Sequence, residues 1–120
     1  MKPETKFWHK VKNFMPEILF TRLENLSSLG TPDLLCYNKK GTFFTCELKV
    51  TKSNFVRLSP HQISFHIRHP KNTFILVSRV SPLETKLYEG KDILQLVACG
   101  LKLDACCLSL EACYEKFRSL

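Results

Sequence analysis

The sequence predicts a mixed α/β fold, a sheet flanked by helices, and three observations carry that reading. Segments with apolar residues three and four apart alternate along the chain with short runs of strand formers. One run, Thr73 to Val80, is continuously apolar at Phe74, Ile75, Leu76 and Val77, as a strand covered on both faces should be. At 120 residues the chain is long enough for one domain with a real core.

The elements follow in order. Glu4 to Phe14 places Phe7, Trp8, Val11 and Phe14 on one helical face, with Lys6, Lys10 and Lys12 off it, and Pro16 ends the helix. Trp8 joins that stripe, so it reads as core rather than as a base-stacking platform. Glu17 to Glu24 is rich in strand formers and reads as the first strand. Asn25 to Thr31 is a loop and Asp33 to Tyr37 a second strand. Asn38-Lys39-Lys40-Gly41 is a turn and Thr42 to Thr51 a third strand, which makes the second and third strands a hairpin. Ser59, Pro60 and Gln62 spell a helix start, with a cap, a first-turn proline and a capping-box partner. That helix runs to about His69, carries Ile63 and Ile67 as its apolar stripe and stops at Pro70. After the apolar strand, Thr85 to Tyr88 reads as a short edge strand and Asp92 to Cys99 as a helix closed by Gly100. A last helix from about Ser109 to Arg118 presents Leu110, Cys113, Tyr114 and Phe117 on one face. The order is α-β-β-β-α-β, then a small strand and two helices.

Lysine and arginine outnumber aspartate and glutamate by 18 to 11, a net charge of +7 that points to a polyanionic partner, nucleic acid first. The cysteines, Cys36, Cys46, Cys99, Cys106, Cys107 and Cys113, contain no C-x-x-C pair, which argues against a zinc ribbon. Free thiols in a reducing cytosol are the default, with a Cys36–Cys46 bridge across the hairpin as the alternative. No apolar run is long enough to span a bilayer, and Met1-Lys2-Pro3-Glu4 lacks a secretory apolar region, so a cytoplasmic location without a membrane partner is expected.

The chemistry concentrates in Gly30-Thr31-Pro32-Asp33 and Glu47-Leu48-Lys49. Side chains alternate across a strand, so Glu47 and Lys49 share one face with Phe43 and Thr45. Phe44, Cys46, Leu48 and Val50 then point into the core. The hairpin turn brings Asp33 near Glu47. Two carboxylates so placed suit Mg²⁺, with Mn²⁺ as a substitute, and the Leu48 carbonyl can complete the oxygen set. A cation held there lowers the pKa of a water for attack on a phosphodiester, and Lys49 is placed to orient that water or neutralise phosphoryl charge. Taken singly, Asp after Pro is a common turn residue and E-x-K a common same-face ion pair.

Together, Pro32-Asp33 and Glu47-Leu48-Lys49 match the PD-(D/E)-x-K nuclease signature. With Arg22-Leu23-Glu24-Asn25, Leu34, Cys46 and Leu58-Ser59-Pro60-His61-Gln62-Ile63 around them, the chain resembles the VRR-type nucleases of phages and viruses, small stand-alone proteins akin to Holliday junction resolvases. The resemblance covers about residues 4–80 and leaves a C-terminal extension, about 81–120, unassigned. It implies a restriction-endonuclease-like mixed sheet in a single domain and a metal-dependent endonuclease. It also implies a homodimer acting on branched DNA such as four-way junctions, in a host-cell cytoplasm if phage-encoded. Carried over, Asp33 and Glu47 match the metal ligands, Lys49 the catalytic lysine, and Gln62 a glutamine on the helix after the third strand. Gln62 also fits the capping box with Ser59. Glu4 is the match for a first-helix glutamate ligand, or else a solvated acidic residue at a helix start. Arg22 reads as a phosphate contact or as an ion pair with Glu24, and Lys52, Arg57, His61 and Arg68 read as phosphate contacts. His66 and His69 lack a third ligand at zinc spacing and read as DNA contacts or solvent-exposed residues. The last two helices are candidates for the dimer interface.

Two other readings stay open. The substrate is a flap, nicked or specific duplex DNA, or the chain is a nucleic-acid-binding module without catalysis.

Overall fold

The computed structural model describes residues 1–23 and 29–120. Four α-helices and five strands form among them: α1 (Pro3–Phe14), β1 (Leu19–Arg22), β2 (Leu34–Tyr37), β3 (Phe43–Thr51), α2 (Pro60–Arg68), β4 (Thr73–Val80), β5 (Leu83–Glu89), α3 (Ile93–Cys99) and α4 (Leu110–Ser119). This is the anticipated order, and the sheet is mixed. Its strands lie in the order β1-β2-β3-β4-β5. Neighbours are antiparallel except β3 and β4, which run parallel because α2 carries the chain back between them. The first strand is shorter than Glu17 to Glu24. Glu17 lies outside it, held by Lys39 and Arg118, and Glu24 falls outside the described residues, as does most of the Asn25 to Thr31 loop. The edge strand β5 is longer than Thr85 to Tyr88.

The alternation read in β3 holds. Phe44, Cys46 and Leu48 enter one core with Phe7, Trp8 and Val11 of α1, Leu34 and Cys36 of β2, and Leu110, Cys113 and Phe117 of α4. The opposite face of β4, Ile75 and Val77, packs with Val56, Ile93, Leu96 and Leu101 in a second core, with Ile63 of α2 against it. The sheet is therefore a middle layer, with α1 and α4 on one side and α2 and α3 on the other. Residues 83–120 are part of this body. β5 pairs along β4, and the apolar face of α4 is spent inside the first core. That removes α4 as an open dimer surface. On α3, Leu94 and Val97 are exposed.

Asn38 ties the hairpin turn to α4. Its side-chain oxygen accepts from the Lys40 and Thr42 amides, and its amide nitrogen donates to the carbonyls of Phe117 and Leu120. Gly41 closes the turn at φ +84, a conformation that favours glycine. All six cysteines are free, so the Cys36–Cys46 alternative does not form. Burial raises the thiol pKa of Cys36, Cys46 and Cys113, which leaves them neutral packing groups. Among the described residues no helix is long and apolar enough to cross a membrane.

Candidate active site

The β2–β3 register pairs Leu34 with Cys46, so the next position outward sets Asp33 beside Glu47 on the face of the sheet that α2 covers. Asp33 stands just before β2 rather than within it. Its carbonyl accepts from the Leu23 amide at 2.9 Å, and its Oδ2 accepts from the Leu48 amide at 2.8 Å. One carboxylate is thereby clamped across the hairpin. The N–H and C=O of a strand residue project to the same side, so the Leu48 carbonyl leaves the same edge of β3 as the amide that holds Asp33. The loop leading in is fixed at Gly30, which has φ +80 and lies against α2. A Cβ there would come within 2.2 Å of the His61 carbonyl oxygen.

Glu47 is buried, only 3% exposed, and its Oε1 has no hydrogen-bond partner. Burial raises its pKa to about 9; the Asp33 carboxylate adds to the rise through hydrogen bonding and charge, Lys49 opposes it, and Glu4 adds a smaller push. A buried, unpartnered carboxylate oxygen beside a second carboxylate is a poor arrangement for two anions and a good one for two anions and a hard cation. The oxygen set Asp33, Glu47 and the Leu48 carbonyl thus fits Mg²⁺ or Mn²⁺. Among the described residues no three His, Cys, Asp or Glu gather into a ready-made metal cluster. Glu4, exposed on the first turn of α1, stands off from the pair while remaining in its electrostatic reach.

Lys49 lies two residues along β3 from Glu47, on the same face. Its Nζ donates to Gln62 Oε1 at 3.2 Å, and that same oxygen accepts from the Ser59 amide at 2.9 Å. Ser59 Oγ in turn accepts from the Gln62 amide at 3.1 Å, which completes the capping box. Gln62 Oε1 thus accepts from the helix cap and from Lys49 at once, with no movement of the side chain. A groove of about 870 Å³ opens beside Lys49, walled by Glu4, Lys52, Phe55, Arg57 and Gln62. Its lining stops at Lys49 and includes neither the buried Glu47 nor Asp33.

The remaining cations divide. Lys52 and Arg57 are exposed and line the groove. His61 and Arg68 are exposed on α2 but outside its lining. Arg22, on β1, lays its guanidinium over the Trp8 ring at 5.6 Å, while Trp8 itself is core.

The histidine reading needs correction. His66 is fully buried, with Nδ1 2.8 Å from the Gln62 carbonyl, so it is neither a DNA contact nor a solvated residue; His69 is exposed. Since a carbonyl only accepts, Nδ1 carries the proton, and burial lowers the His66 pKa and keeps the ring neutral. His66 takes the inward position assigned to Ile67, which is 52% exposed. Phe55 drew no attention in the sequence. It is a lone aromatic in the polar stretch Lys52-Ser53-Asn54-Phe55, a pattern that does not report exposure.

Compared with protein-family profiles, curated proteins and solved structures, the chain has no match.

Proposed function

We propose that this chain is a divalent-metal-dependent endodeoxyribonuclease of the PD-(D/E)-x-K type with a restriction-endonuclease-like sheet, and that branched DNA, a four-way junction first, is its substrate. The observation that carries the proposal is the constellation around β3. Asp33 and Glu47 stand side by side with a buried Glu47 oxygen lacking a partner, and Lys49 is held at the groove wall by Gln62.

Asp33, Glu47 and the Leu48 carbonyl would hold Mg²⁺ or Mn²⁺. Bound there, the cation supplies positive charge to the phosphoryl oxygens and acidity to a water. Asp33 is kept in place by the Leu48 amide, so it offers its oxygens without rearrangement. Lys49 supplies an ammonium that donates to a non-bridging phosphoryl oxygen or orients the attacking water. Gln62 sets the height of that ammonium above the strand. Lys52 and Arg57 neutralise phosphates flanking the scissile one and fix the register of the backbone.

Paired cuts across a junction require two sites related by a two-fold axis, hence a dimer. Exposed Leu94 and Val97 on α3 offer apolar surface for it. The test is cleavage of a synthetic four-way junction and of linear duplex, each with and without Mg²⁺. Metal-dependent cutting of the junction supports the reading. Salt-sensitive binding with no cutting in Mg²⁺ or Mn²⁺ overturns it in favour of a binding module.

A further inference from the structure

Phe55 is 68% exposed, an unusual position for a phenyl ring, and it lies in the wall of the groove beside Lys52 and Arg57. The segment that carries it is tightly held. Thr51 Oγ1 donates to the Phe55 carbonyl at 2.8 Å, and the Phe55 amide donates to Ser53 Oγ at 3.2 Å. On the far side, the Asn54 carbonyl accepts from the Leu101 amide at 2.6 Å and presses on Gly100, where a Cβ would meet that carbonyl oxygen at 2.0 Å. Burial alternates from here. Val56 and Leu58 turn inward to the second core, while Phe55 and Arg57 turn outward together.

An exposed ring on a hydrogen-bonded segment and a guanidinium on one side of a basic groove are what a nucleotide requires, a π face for the base and a cation for its phosphate. Stacking on such a ring needs a base that has left its own helix. From this we infer that Phe55 is a base-stacking residue, and that the groove takes DNA carrying an unpaired or splayed base next to the phosphate at Lys49. The inference rests on the nuclease reading for its choice of DNA and narrows the substrate to nucleic acid with open base steps.

Binding in EDTA separates the two ideas, because it needs no cleavage. Two labelled DNAs of equal phosphate number serve as probes, a continuous duplex and a duplex with a central unpaired stretch. Phe55→Ala and Phe55→Leu are each expected to lose affinity for the unpaired probe about tenfold relative to the continuous one, the scale of one lost base stack. Phe55→Trp is expected to keep the preference and to show quenched indole fluorescence on binding. Thermal melts of each variant confirm folding, which an exposed ring should not control. Equal affinities for all four proteins, with cutting intact in Mg²⁺, overturn the stacking role alone. Loss of preference in the Ala and Leu variants without any metal-dependent cutting by the wild type overturns the nuclease reading and leaves stacking in place. No DNA binding by the wild type, or a changed oligomeric state of Phe55→Ala without DNA, overturns the inference.

Discussion

Glu47→Gln should make the metal-free protein more stable. The folded chain holds the Glu47 proton up to about pH 9, whereas the unfolded chain releases it near 4.5. Between those values the folded state binds more protons than the unfolded one, so stability falls as pH rises, by about 1.4 kcal/mol per unit. At pH 7 the accumulated cost is about 3 kcal/mol, and glutamine, which has no proton to lose, escapes it. For a chain of this length that is a gain of roughly 10 °C in melting temperature. At pH 4 the two proteins should melt together. The assay is thermal unfolding by circular dichroism in EDTA across pH 4 to 8. Added Mg²⁺ should then raise the wild type and leave the glutamine variant unmoved, because a ligand stabilises only the state that binds it. A variant that melts at or below the wild type at pH 7, or a gap that does not widen with pH, refutes the account of Glu47 given above.

Other outcomes follow from the same geometry. Lys49→Ala should lower the rate of metal-dependent cutting by about a thousandfold, with DNA affinity within about threefold, since it removes a charge aimed at the reacting phosphate; single-turnover cleavage beside a binding titration measures both. Gln62→Ala should cost about 1 kcal/mol of stability by taking the Oε1 acceptor from the Ser59 amide, and slow cutting by releasing Lys49, whereas Gln62→Glu should recover the melting temperature. Gly30→Ala should destabilise by about 2 kcal/mol or more, because φ +80 is strained for alanine and its Cβ would enter the His61 carbonyl at 2.2 Å; a denaturant titration reads it.

Much of this arrangement was legible in the sequence wherever a local rule and the tertiary fold agree. The start of α2 is an example, because Ser59, Pro60 and Gln62 satisfy the helix from within it. The alternation in β3 is another, since one face must be apolar and the other is spared for Glu47 and Lys49. The reading failed where a tertiary partner overrides hydropathy. Ile67 outranks His66 on any apolar scale, yet the Gln62 carbonyl satisfies the His66 ring and lets it go inward. The apolar face of α4 announces that it is buried but not against what, and only the assembled sheet shows that the first core consumes it. Asn38 looks like an ordinary turn residue because its carbonyl partners, on Phe117 and Leu120, lie far along the chain. For Phe55, exposure is invisible to a sequence, since a lone aromatic is more often buried.

One oxygen atom, Gln62 Oε1, caps a helix and holds a lysine at once. Evolution therefore has little room at this position. A substitution that spares the fold but drops the acceptor changes the lysine, and one that repositions the lysine frays the helix. Change at residue 62 is therefore confined to side chains that keep an acceptor there, glutamate among them, because the helix start and the lysine lean on the same atom.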